Sequence, residues 1–231
     1  MLFFDPTYLL FIATALLLSL WASFRTKATF NEYSRIRASR GLTGAQAARV
    51  MLDGAGIHDV QILLTQGMLT DHYNPATKTL NLSEAVYASS SIAAVGVACH
   101  EAGHAIQHAE AYKPLWLRSA LVPTANIGSS VGYLVMFFGL LLHAANMVLL
   151  GATLFSAVLL FQIVTLPVEL DASARAKRLA FSNGIVLEQE RVGMSRVLNA
   201  AALTYVAAAV STLMTLLYFL LRAGLLGGRR D

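Results

Sequence analysis

Three stretches of this chain carry no Asp, Glu, Lys or Arg: Pro6–Phe24, Ser119–Val168 and Asn199–Leu221. A helix needs about 20 apolar residues to cross about 30 Å of hydrocarbon. The first and third stretches each predict one span. The second would make a helix of roughly 75 Å, more than twice the bilayer, so it predicts a helical hairpin. Its most polar point, His143-Ala144-Ala145-Asn146, is the expected turn. Four spans result.

The pattern changes between the first two stretches. Thr43-Gly44-Ala45-Gln46 has the T-x-x-Q form of a capping box. It predicts a helix bearing Ala47, Ala48, Val50, Met51 and Leu52, stopped by Gly54 and Gly56. QILL (61–64), MLTDHY (68–73) and KTLNLS (78–83) read as strands, with a turn at Asn74-Pro75. Thr79 and Asn81 fall on one face of the last strand, Leu80 and Leu82 on the other. The expectation is a small antiparallel sheet of three strands, in which KTLNL offers an edge to an extended peptide. Ser89-Ser90-Ser91 then caps a helix over about 92–110. Its first half, IAAVGVAC, is apolar on nearly every side and is therefore expected to be buried.

Composition agrees with the pattern. The chain is 56% hydrophobic and 13% charged, against about a quarter charged in soluble domains. That leaves room for one modest polar domain beside the lipid bilayer. The single cysteine, Cys99, excludes an intramolecular disulfide. The net charge of +4 is unevenly placed. Fourteen of the 17 basic residues fall in 25–118 and 169–198, and none precedes the first span, where only Asp5 stands. The positive-inside rule puts those two segments in the cytoplasm, although Arg222, Arg229 and Arg230 oppose it. The asymmetry concerns membrane orientation rather than nucleic acid, and no nucleic-acid partner is expected. The first span has no positive residues ahead of it, so it is read as an uncleaved anchor. The expected organisation is a transmembrane anchor (1–24), a cytoplasmic segment (25–118), a transmembrane hairpin (119–168), a cytoplasmic helix (169–198), and a last transmembrane helix with a short tail (199–231). The fold class is a mainly α integral membrane protein of about four transmembrane helices, with a small α+β domain in the cytoplasm.

The candidate chemistry lies in VACHEAGHAIQH, residues 97–108. His100, Glu101 and His104 have the spacing H-E-x-x-H. On a helix, positions i and i+4 share a face, so both imidazoles can reach one ion. Zn2+ accepts histidine nitrogen at about 2.0–2.1 Å, and a catalytic site usually has three protein ligands. Glu101 is then the candidate general base, and the cytoplasmic segment 25–118 is expected to be a small zincin-like α+β catalytic domain with the H-E-x-x-H helix. Glu110 lies six residues past His104, but a helix that continues through Gln107 would carry it about 9 Å along the axis. His108 shares the face one turn further on, as a second-shell or substrate contact. Glu169 is the stronger candidate for third ligand. It is the first charged residue after an uncharged run of 50, and an acid beside a span is costly unless bound or paired. Asp171 is its rival, or an orienter of a ligand histidine. His72, at a strand end before the helix, is a candidate substrate contact. Cys99 is read as a small buried residue.

HEAGHAIQ, LTDHYNPATKTLNLS, LRSALVPTANIGS and LPVELDASARAKR together resemble the YugP-like family of membrane neutral zinc metallopeptidases, from about Phe30 to Leu198. The resemblance implies an integral-membrane zinc peptidase of the bacterial plasma membrane. His100 and His104 would be ligands and Glu101 the catalytic acid/base. A looser likeness to the HtpX-type membrane proteases concerns their E-x-x-x-D element. Glu169 matches its glutamate, whereas Ser173 stands where the aspartate would be. The expected substrate is a peptide or membrane protein. An alternative keeps the metal without the reaction, as a catalytically inactive metal-binding membrane scaffold or regulatory subunit. A transporter is disfavoured because the uncharged spans contain no carboxylate.

Overall fold

The computed structural model describes residues 6–67 and 69–226. Asp5, Met68, Arg229 and Arg230, which enter the sequence reading, lie outside the described residues. The chain is mostly helical. The helices are α1 (Pro6–Tyr33), α2 (Gly44–Gly54), the short α3 (Glu84–Tyr87), α4 (Ile92–Ala109), α5 (Lys113–Leu141), α6 (Ala145–Ser182) and α7 (Arg191–Arg222). Strands β1 (Gln61–Thr65), β2 (His72–Asn74) and β3 (Thr79–Ser83) form a single sheet. Among the described residues, four helices are long and apolar enough to cross a membrane: α1, α5, α6 and α7, the last counted from Glu188. The uncharged middle stretch folds as the helical hairpin α5–α6, turning at Leu142–Ala144, where His143 adopts φ +54°.

These helices run beyond the uncharged stretches. α6 continues without a break through Pro167 to Ser182, and α7 begins at Arg191. The residues that the sequence suggests as one helix, 169–198, are therefore the end of α6, a turn, and the start of α7. By internal contacts the chain divides into two units, Met1–Ser23 with Leu117–Leu166 and Thr204–Asp231, and Phe24–Trp116 with Pro167–Leu203.

The first unit packs backbone against backbone. A Cβ on Gly132 would stand 2.7 Å from the Phe155 nitrogen, and one on Gly151 would stand 2.5 Å from that of Met136. Gly128 and Gly139 approach Leu154 and Val148 as closely. Small residues at a helix seam are how helices associate where hydrophobic burial offers no gain over lipid. Aromatic rings fill the remainder: Tyr133 stacks edge-on to Phe219 at 5.7 Å, and Tyr8 to Tyr218 at 5.4 Å. Leu10, Leu17, Leu134, Leu149 and Leu160 face outward, each at least half exposed.

The second unit has a core of its own. The capping box forms as the sequence predicts: Thr43 Oγ1 accepts from the Gln46 N–H, and the Thr43 N–H donates to Gln46 Oε1. α2 ends near Gly56, whose φ of +71° suits glycine. Its Ala47, Ala48, Met51 and Leu52 are fully buried in one cluster with Ala93, Ala94, Val95 and Ala98 of α4.

The sheet differs from the antiparallel expectation. Its order is β1-β3-β2, with β1 parallel to β3 and β2 antiparallel to it. KTLNL is thus the central strand, its main chain paired on both sides, and offers no edge to a peptide. The reason is burial. Leu80 and Leu82 are fully buried, whereas β1 leaves Leu63 and Leu64 exposed. The strand with the deepest apolar face takes the middle.

Candidate metal centre

α4 and α6 bring the chemistry together, and Gly103 sets their distance. A Cβ there would lie 2.7 Å from the Ala172 carbonyl oxygen. Only glycine permits this approach of the two backbones. Ala98, Ala102 and Ala105 on α4, and Ala172 and Ala176 on α6, are all but fully buried. The small apolar residues of IAAVGVAC and their neighbours serve a close helix crossing.

At that crossing His100, His104 and Glu169 converge. Glu169 Oε2 lies 3.2 Å from His100 Nε2 and 3.4 Å from His104 Nε2. One ligand atom from each of the three falls within 4.8 Å of the others. Four ligands about 2.0–2.1 Å from a tetrahedral ion stand about 3.3–3.4 Å apart. Both carboxylate–imidazole distances match that edge, and two imidazoles with a carboxylate are a donor set that suits zinc. The imidazole rings meet edge-on, 4.8 Å between centroids. Glu169 and His104 are buried, at 2% and 7% exposure. Burial draws the His104 pKa down, but hydrogen bonding to Glu169 and the charges of Glu101 and Glu169 outweigh it, and the pKa rises above the ordinary imidazole value. Metal binding there would displace a proton.

Glu101 is 8% exposed and, among the described residues, holds no hydrogen bond or ion pair. Cys99 is fully buried, and burial pushes its thiol up to about 12. It is inert at neutral pH.

The other sequence candidates take separate places. Asp171 is outside the His-His-Glu cluster. It accepts from Gln107 Nε2 at 2.8 Å and from the Arg175 guanidinium. Glu110 is not carried onward by the helix, which stops at Ala109; it pairs with Arg175 instead. His72 is exposed on the Asn81 face of the sheet. Its ring nitrogens lie 2.8 Å from the Thr70 carbonyl oxygen and 3.2 Å from Asn81 Nδ2. His108 Nδ1 is 2.8 Å from the Tyr73 hydroxyl. The two side chains help line an open groove of about 380 Å³, with Val60, Ala105 and the Asp59–Lys78 ion pair. Burial raises the Tyr73 pKa, so the phenol stays protonated.

Two residues that the sequence reading does not assign hold the histidines. Gln107, fully buried, lies with Oε1 3.0 Å from His104 Nδ1. Ser173 Oγ lies 3.0 Å from His100 Nδ1. A signal for Ser173 exists in the sequence, since it occupies the aspartate position of the E-x-x-x-D element. The signal for Gln107 is an amide inside an otherwise apolar helix face.

Comparison with known proteins agrees with this geometry. Residues 8–224 match the family model described as "Putative neutral zinc metallopeptidase". The chain is 48% identical over 207 residues to "Putative membrane protease YugP" of Bacillus subtilis (strain 168), covering 90% of this chain and 92% of that one. No solved structure matches the chain significantly. The chain belongs to the neutral zinc metallopeptidase family.

Proposed function

We propose that the chain is a membrane-embedded zinc endopeptidase in which His100, His104 and Glu169 hold the metal and Glu101 is the general base. The observation that carries this reading is the convergence of three ligand atoms at the α4–α6 crossing, with an uncommitted buried carboxylate beside them. Bound there, zinc supplies Lewis-acid polarisation and lowers the pKa of water toward about 7. Three protein ligands would leave the fourth position open to water or substrate, as in catalytic zinc sites. Glu101 takes the proton of the attacking water and later gives it to the leaving amine. Its neighbour in sequence, His100, is fixed by Ser173, so the base sits on a rigid turn.

The groove at Tyr73 and His108 supports a place for substrate. His108 follows His104 by one helical turn, about 6 Å along α4. That is the length of about two residues of extended peptide. We assign the groove to a substrate side chain and His108 to its wall. A substrate that pairs its main chain with the sheet must add to β1 or β2, since β3 has both neighbours.

The setting of the reaction is a bacterial plasma membrane, with the four apolar helices spanning it. The catalytic unit faces the cytoplasm, on the positive-inside rule. Flexible peptides and tails of membrane proteins are then the substrate class.

The test is cleavage of an unstructured peptide library by detergent-purified protein, wild type beside Glu101→Gln. Loss of about 10²–10⁴-fold in rate with zinc retained is expected for a general base. Equal activity in the variant would remove Glu101 from the mechanism. Zinc without cleavage in either protein would favour the inactive scaffold.

A further inference from the structure

We infer that Gln107 sets the tautomer of His104 and so prepares it as a ligand, with Asp171 acting through Gln107 rather than on the metal. The inference rests on the metal-site reading above, and its starting point is the orientation of one amide. Gln107 Nε2 lies 2.8 Å from the Val168 carbonyl oxygen and 2.8 Å from Asp171 Oδ2. Both partners are acceptors only, so the amide nitrogen must face them. The amide cannot be flipped without setting oxygen against oxygen twice.

Oε1 is then fixed toward His104 Nδ1, at 3.0 Å. An amide oxygen only accepts, so Nδ1 must carry the proton. In the neutral imidazole the lone pair is then on Nε2, the atom that faces Glu169 at 3.4 Å. A chain of obligatory donors and acceptors thus runs from Asp171 through Gln107 and keeps a proton on Nδ1; Nε2 faces the Glu169 carboxylate, an acceptor whose hydrogen-bond partner a metal ion would replace.

The outer end of the chain is equally determined. Asp171 Oδ2 also accepts from Arg175, and Arg175 pairs with Glu110 and lies over the Tyr112 ring at 5.7 Å. Arg175 holds the Asp171 carboxylate in place, so Asp171 is engaged on both sides. This is why an acid two residues from Glu169 does not compete with it for the ion.

A neutral amide in this position has a chemical consequence. A carboxylate hydrogen-bonded to Nδ1 would push more charge onto the ligand nitrogen. Gln107 orients His104 without adding an anion to a site that already holds Glu101 and Glu169. Gln107 is a positioning residue, since it reaches the site only through His104.

The test compares wild type, Gln107→Met and Gln107→Glu by two readouts. The first is the 15N shifts of His104 in metal-free protein carrying Glu169→Ala, which removes the competing acceptor at Nε2, at a pH well above the imidazole range. With Gln107 in place His104 should show a single tautomer protonated at Nδ1, and with Gln107→Met a mixture. The second is zinc affinity by chelator competition. Gln107→Met should bind zinc about 10–100-fold more weakly, the usual effect of removing an outer partner of a ligand. Gln107→Glu sets two carboxylates together and should also weaken zinc. Adding Asp171→Asn to it restores a donor opposite the introduced carboxylate and should recover affinity. A variant that merely unfolded would not be rescued this way. The same tautomer and affinity within about twofold in Gln107→Met, far short of the usual outer-partner effect, would overturn the inference. Absence of zinc binding in wild type would instead remove the metal reading, while the tautomer of the metal-free protein would still decide the role of Gln107.

Discussion

The two units of this chain solve helix packing in the same way and use it differently. In the first, glycines at 128, 132, 139 and 151 let α5 and α6 touch through their backbones, beside a buried cluster of apolar side chains. In the second, Gly103 lets α4 touch α6 at Ala172, and the contact is flanked by His100, His104, Gln107, Glu169 and Ser173. Close backbone approach therefore has two roles. In the apolar bundle it supplies cohesion. At the polar site it sets the distance between the helices that carry His100, His104 and Glu169. Cohesion tolerates a small shift, whereas coordination does not.

Substitution of the glycines separates these roles. Gly103→Val should have the larger effect. The new side chain must displace the Ala172 backbone, and Glu169 moves with it. Overpacking costs about 1–3 kcal/mol, and zinc affinity should fall at least about as far as on losing an outer-shell partner, roughly 10–100-fold. Gly132→Val meets the Phe155 backbone as tightly and should cost a similar amount of stability. Its zinc affinity should stay at the wild-type value. Thermal melts and chelator competition on both variants make the comparison. Equal zinc loss in the two variants would contradict the separation.

A smaller signal tests the membrane setting of each unit. Cys99 is buried with a raised pKa and should not react with maleimides. Single cysteines placed at exposed His143 and Ser34 then report alone. In intact cells an impermeant maleimide should label His143→Cys and spare Ser34→Cys until the membrane is opened. The reverse pattern would invert the orientation.

How much of this is legible in the sequence follows the range of the interactions. The capping box at Thr43 and Gln46 and the helix after Ser91 are local, and their residues announce them. H-E-x-x-H is local too. Glu169 can be picked out only because charge is conspicuous after a long uncharged run. The strand order is not legible, because β1 and β3 are both short and apolar, and only burial in three dimensions distinguishes the central one. Gln107 and Ser173 escape sequence reasoning for a related reason. Ser173 lies 73 positions from His100, and Gln107, although three from His104, is oriented by Val168 and Asp171, 61 and 64 positions away; no spacing rule connects an amide on one helix with a carboxylate on another. Asp171 reads as a rival ligand in the sequence because the residue that stands between it and His104 becomes visible only in the folded chain.

The most direct test of the metal centre is the zinc content of detergent-purified wild type beside Glu169→Gln, each dialysed against a weak chelator. About one zinc per chain in wild type, lost in Glu169→Gln, is the result that a His100–His104–Glu169 site predicts. Zinc held as firmly by Glu169→Gln would contradict it and require a third ligand from outside this cluster.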